Sequence, residues 1–152
     1  MNSQSLKTQI KQHEGEVLEI YEDSLGLKTL GVGHLITEGD YEYDLPVGTP
    51  VSQVVVDAYF ELDFYEHVAE TIQVFGDQED FHDLPQSIQH VLVDMCFNLG
   101  APRLAKFKNM LSACREHDWT QMAIQMEDSR WYNQVGVRSR NLQTMVLNVP
   151  KS

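Results

Sequence analysis

The chain changes its period abruptly at Glu14-Gly15, and that change constrains the fold more than any other feature. Leu6 and Ile10 stand four apart and Glu14 continues the series, so all three share one face of a helix. Gly15 follows, and glycine is the residue that most readily takes the left-handed conformation just past a helix end. Beyond it the period becomes two: Leu18 and Ile20 are expected to point one way, Glu19 and Tyr21 the other. Ser24-Leu25-Gly26 supplies a turn, and a return strand carries Thr29 and ends in Gly31-Val32-Gly33-His34. A tight turn would set Asp23 opposite Thr29 at the end of the hairpin, across from Glu14.

Two acids and a hydroxyl around one small region suit glycoside hydrolysis. One carboxyl must stay protonated to donate to the leaving sugar oxygen, while the other must stay ionised to activate water or stabilise positive charge. The same residues fit a plainer account, with Glu14 a surface acid at a frayed helix end and Asp23 an ordinary turn former. Spacing alone leaves both accounts standing.

Glu14-Gly15, Tyr21-x-Asp23, Thr29 and Gly31-x-Gly33-His34 resemble the catalytic signature of phage-type lysozymes, the endolysins or muramidases of glycoside hydrolase family 24. Ser129-Arg130-Trp131-Tyr132-Asn133-Gln134 resembles the C-terminal motif of the same family. The likeness runs from about Ile10 to about Leu142, thin between Glu38 and Pro50 and between Thr71 and Gln86. Two separate motifs in the right order are far more specific than either glycine pair alone.

The resemblance implies a role for each candidate. Glu14 would be the general acid, Asp23 the base that holds the attacking water, and Thr29 the residue that helps position it. His34 would form a supporting ion pair with an aspartate of a long helix, at the place that Asp63 occupies. Arg138 would lie against the catalytic glutamate. Asn98 would bind a sugar N-acetyl group, although a helix C-terminal cap is an equally natural use of it. Trp131 and Tyr132 read as core anchors.

The implied reaction is hydrolysis, by inversion, of the β-1,4 bond between N-acetylmuramic acid and N-acetylglucosamine in bacterial peptidoglycan, leading to lysis. No cofactor and no metal are implied. Two rivals stay in view: a lytic transglycosylase, which needs only the glutamate, and an inactive peptidoglycan-binding protein of the same fold.

At 152 residues the chain suits one domain. Within it a hairpin lobe is expected over about 13–51 and a connecting helix over 52–76. A helical lobe would take 77–152 together with the N-terminal helix. The fold class is α+β and lysozyme-like, with a cleft expected between the lobes. A third strand is expected after Asp40, and Gly39 to Pro50 reads as loop. Ser5 and Ser52 read as helix caps. Val54, Ala58, Leu62, Tyr65, Ala69 and Ile72 read as the apolar face of the connecting helix, which stops at Gly76. Asp77 to Asp83 reads as an exposed acidic linker, and Pro85 opens a buried helix that runs to Gly100. Helices over about Lys108 to Arg115, after Asp118, and over about Val137 to Met145 complete the chain.

A formal net charge of −12 weighs against nucleic acid as a partner and predicts long-range repulsion from anionic walls. No apolar run approaches the roughly 20 residues that cross a bilayer, so no stable membrane association is expected. The stretch from Met1 to Gln12 lacks the apolar core of a signal peptide. Together with that, the resemblance implies an endolysin, expected to be a monomer held in the host bacterial cytoplasm until it reaches the wall. Cys96 and Cys114 are expected to be buried free thiols, and the six histidines show no metal-ligand spacing.

Overall fold

Helix α1 (Ser3–Glu14) starts on Asn2, whose Oδ1 accepts the Ser5 N–H at 3.2 Å. Asn2 therefore fills the capping role expected of Ser5, and the helix begins correspondingly earlier. It ends as expected at Gly15, with φ +76°. The computed structural model describes residues 1–150; Lys151 and Ser152, the last of the expected helical lobe, lie outside the described residues.

Strands β1 (Val17–Glu22), β2 (Lys28–Gly31) and β3 (His34–Leu35) form an antiparallel sheet in that order. The third strand thus precedes Asp40 instead of following it. Gly31 and Gly33, at φ +61° and +66°, turn the chain back at once, so that His34 pairs with Leu30. After Asp40 the chain makes a single 3₁₀ turn, Tyr41–Asp44. The Lys28 ammonium donates to the carbonyls of Tyr43 and Leu45 and ties that turn to the sheet.

Simple alternation fails in β1. Val17 pairs with Gly31 and Tyr21 with Thr29, so four steps on β1 oppose two on β2. The surplus residues pair with a different segment: Val51 N–H donates to Leu18 O and Ile20 N–H to Thr49 O. Ile20 is fully buried, while Leu18 is 47% exposed. The bulge, not the residue type, decides which of the two enters the core.

Helix α2 (Gln53–Phe75) is capped by Ser52, whose Oγ accepts the Val55 N–H at 3.3 Å, and it stops at Gly76. Its buried face differs from the expected one. Val56, Phe60, Phe64, Thr71 and Phe75 are buried, whereas Val54 and Leu62 are 78% and 70% exposed.

The chain divides into two units, one of residues Lys7–Glu66 and one of Met1–Leu6 with His67–Ser152. The first unit buries Ile10, Ile20, Leu30, Val32, Ile36, Val51, Val56, Phe60 and Phe64. The second is built on α4 (Gln86–Leu99), buried on every side from Ile88 to Phe97. The expected acidic linker before it contains a helix, α3 (Gln78–His82), capped by Asp77 and anchored by the buried Phe81. Pro85 stands just before α4.

Short helices follow: α5 (Ala101–Leu104), α6 (Lys108–Arg115), α7 (Trp119–Glu127), α8 (Arg130–Val135) and α9 (Val137–Leu147). Asp118 accepts the Gln121 N–H and Ser129 the Tyr132 N–H, so both caps sit where polar residues interrupt the apolar pattern. Cys96 and Cys114 are buried free thiols. No helix among the described residues is long and apolar enough to cross a membrane.

Candidate active site

Glu14 is the last residue of α1, half-buried, with its carboxylate over Gly33. A Cβ at Gly33 would stand 3.3 Å from Glu14 Oε1. One at Gly31 would stand 2.8 Å from Val56 Cγ1. The two glycines of the Gly-x-Gly pair therefore have separate jobs: Gly31 lets the sheet close on α2, and Gly33 leaves room for the acid.

Asp23 and Thr29 are joined through one peptide. Asp23 Oδ1 accepts the N–H groups of Leu25 and Leu27, each at 2.9 Å. Leu27 O accepts in turn from the Asp23 N–H and the Thr29 hydroxyl, again at 2.9 Å each. Thr29 pairs across the ladder with Tyr21, not with Asp23 as a tighter turn would have it. Five residues separate Asp23 from Thr29, so Asp23 sits in the loop beyond the paired strands.

Tyr21 lies within electrostatic reach of both acids. Burial, with the negative charges of Glu14 and Asp23 nearby, holds its phenol above the usual value. In the sequence Tyr21 stood only as a motif letter; its strand position opposite Thr29 is what brings it into the site.

His34 is held from both sides. Its Nδ1 lies 2.7 Å from Asp63 Oδ2 and its Nε2 2.8 Å from Asp40 Oδ2, with the ring stacked on Tyr59 at 4.0 Å. The expected Asp63 partner is present, and Asp40 is a second one that sequence reasoning missed. Burial alone would lower the imidazole pKa, but the bonds to Asp63 and Asp40 outweigh it and raise it. The opposite balance acts on Asp40: burial pushes upward, but the Thr37 N–H and His34 bring it below its ordinary value. Tyr59 donates to the buried Glu42 at 2.5 Å, and burial together with that bond raises its phenol pKa.

In the other unit Arg138 is buried, donating from Nε to Asp94 Oδ1 at 2.8 Å and from Nη2 to Asp94 O at 3.2 Å. Asp94 is fully buried and was also missed, although an acid inside Val91-Leu92-Val93-Asp94-Met95-Cys96-Phe97 is a visible signal. Asn98 Oδ1 accepts the Trp131 indole N–H at 2.7 Å, which orients the amide and fixes the buried tryptophan. Trp131 is thus a core anchor, as expected. No group of three or more His, Cys, Asp or Glu side chains among the described residues could hold a metal ion.

The family model for phage lysozyme matches residues 11–146. The chain belongs to the phage lysozyme family. It is a lysozyme-type glycoside hydrolase, with peptidoglycan as its substrate. The enzyme is similar to Probable T4-type lysozyme 2 of Dictyostelium discoideum, with 28% identity over 154 residues covering 91% of each chain. It is also similar to Probable T4-type lysozyme 1 of the same organism, 23% identical over 93% of each chain. A third relative is the Pre-baseplate central spike protein Gp5 of Enterobacteria phage T4, 26% identical over 94% of this chain but only 28% of that protein. The first motif, from Glu14 to His34, lies wholly within the matched region, as does the Ser129–Gln134 block.

Proposed function

We propose that the enzyme hydrolyses the β-1,4 bond between N-acetylmuramic acid and N-acetylglucosamine with inversion at the anomeric carbon. The observation that carries this reading is the bonding around Leu27. Thr29 gives its hydroxyl hydrogen to the Leu27 carbonyl, so the oxygen keeps its lone pairs as acceptors. Asp23 receives both turn bonds on Oδ1, which leaves Oδ2 to accept from water. A water donating one hydrogen to each of these oxygens presents its own lone pair to the sugar.

Glu14 then protonates the glycosidic oxygen as the C–O bond breaks. Water adds to the anomeric carbon from the opposite face and Asp23 takes its proton. The charges balance: Glu14 ends ionised, Asp23 ends protonated, and the first product is the α anomer. Burial and the charges of the two acids keep the Tyr21 phenol protonated, so it adds no negative charge near them.

Glu14→Gln should fold normally and lose about 10² or more in rate, since general acid catalysis is typically worth about 10²–10⁴-fold. Activity above about one-tenth of the native value would put the acid elsewhere. NMR of the fresh product should show the α anomer, and a retained β anomer would overturn the role of Asp23. Product masses separate hydrolysis, which adds water, from transglycosylation, which leaves an anhydro end. We propose bacterial lysis from the host cytoplasm as the setting. Expression inside a bacterium should then cause lysis only once the inner membrane is permeabilised.

A further inference from the structure

Several cations of this acidic chain have partners: Lys7 pairs with Glu61 at 2.7 Å, Lys11 lies over the Phe60 ring, Lys28 donates to backbone carbonyls, Arg115 to Phe75 O at 2.7 Å, and Arg138 pairs with Asp94 at 2.8 Å. Arg103, Lys106, Lys108 and Arg130 make no ion pair or side-chain hydrogen bond among the described residues, and all four are exposed. Four unpaired cations thus share one place in a chain with 23 acidic residues.

These four line one concavity of about 660 Å3 in the unit built on α4, and Asp128 is its one acidic wall residue. Phe107, packed edge to face against the buried Trp131 with centroids 6.0 Å apart, supplies an apolar wall. A concave surface lined by one sign of charge concentrates the opposite charge, whatever the net charge of the whole molecule. Ligand shape follows from the donors. A carboxylate offers two coplanar oxygens and is satisfied by one guanidinium fork. Two guanidinium and two ammonium groups around one space instead match a tetrahedral anion, with oxygens directed several ways. The aromatic wall suits the carbon face of a sugar or polyol.

We propose that this pocket, whose lining includes neither Glu14 nor Asp23, is a binding site for phosphate carried on a glycan or polyol. It would hold phosphate-bearing envelope polymer, or a free sugar phosphate, without cleaving it. The proposal goes beyond the hydrolytic reading and does not depend on it.

The test uses the full chain. Short-chain inorganic polyphosphate, glucosamine 6-phosphate and poly-glutamate serve as probes, with the Trp131 indole N–H and the Asn109 and Gln125 side-chain amides as NMR reporters. Both phosphate probes should shift these signals, and poly-glutamate should not. The triple variant Arg103→Gln, Lys106→Gln, Lys108→Gln alters exposed side chains only, and circular dichroism checks that it folds. It should weaken polyphosphate binding about 10-fold or more, while Arg140→Gln, outside the pocket, should change it less than about 2-fold. Tighter binding of polyphosphate than of glucosamine 6-phosphate assigns the site to polymer, equal binding admits the free sugar phosphate, and no binding of glucosamine 6-phosphate would overturn the sugar or polyol part of the proposal. Equal binding of poly-glutamate, an unchanged triple variant, an equal loss with Arg140→Gln or no shift with either phosphate probe would overturn the proposal. Glu14→Gln should bind polyphosphate like the native chain, so failure here and failure of the hydrolytic reading are separate results.

Discussion

Replacing His34 by asparagine should cost stability in a pH-dependent way. The imidazole bridges two carboxylates at 2.7 and 2.8 Å, and the three side chains are only 12–19% exposed. A hydrogen bond to a charged group contributes about 1.5–3 kcal/mol. Two such bonds, discounted for residual solvent, amount to about 2–4 kcal/mol while the ring is charged. The raised pKa of His34 sets one limit. Its stabilisation is complete below the unfolded value of about 6.5 and is lost as pH rises through the folded value. The depressed pKa of Asp40 sets the other. Its share is present above about 3.9 and is lost as pH falls through its lower folded value. Above the folded pKa of His34, a neutral ring donates from one nitrogen only and turns a lone pair toward the other carboxylate. The deficit of His34→Asn should therefore be greatest in mildly acidic solution and shrink by about 1–3 kcal/mol toward pH about 9. Urea unfolding followed by circular dichroism across that range measures it, and NMR titration of the native ring gives the pKa directly. A deficit that does not change with pH, or a ring titrating below about 6.5, would refute the reasoning.

Other expectations follow from single contacts. Arg138→Leu leaves the fully buried Asp94 without its guanidinium and should destabilise by about 3–5 kcal/mol, while Asp94→Leu with Arg138→Met should recover much of that in thermal melts. Gly31→Ala combines left-handed strain of about 1–2 kcal/mol with the clash at Val56 Cγ1, so Val56→Ala should partly rescue its melting temperature. Gly33→Ala carries similar strain but presses on Glu14, so kcat should fall by a larger factor than stability accounts for. On phosphate-free peptidoglycan a net charge of −12 should make the initial rate rise as salt goes from about 0.01 to about 0.15 M, and a falling rate would contradict control by net charge.

The motif residues were legible because each obeys a local rule: a glycine stop, a turn aspartate, a strand threonine. Their mutual arrangement was not, because it runs through the Leu27 backbone, which carries no side-chain signal. Asp40 was hidden for a related reason, lying in a loop whose shape depends on Lys28 and on the 3₁₀ turn. The misreading of α2 has a geometric cause. Apolar residues occur on both sides of that helix, and a shift of two positions, from Val54 to Val56, rotates the chosen stripe by about 200°. Periodicity could find the helix, but bulky phenylalanines at Phe60, Phe64 and Phe75 decide which side is buried. The helical unit was easier to read, since the α4 run is mostly apolar, is buried on every side and needs no choice of face.

The two cysteines give this molecule a natural reporter of partial unfolding. Both belong to the unit that contains α4 and α6, and residues 7–66 contain none. Burial raises the thiol pKa of Cys96 and pushes that of Cys114 up to about 12. Each thiol is thus both shielded and almost wholly protonated at neutral pH, and the thiolate is the reactive form. A neutral alkylating reagent can therefore modify them at an appreciable rate only in states where the helical unit has opened. Labelling rates at Cys96 and Cys114 would read the opening free energy of that unit alone. Amide exchange in β1 and β2 would give the value for the unit that carries Glu14, Asp23 and Thr29. Native, unmodified enzyme thus suffices to ask whether its two halves melt together or one before the other.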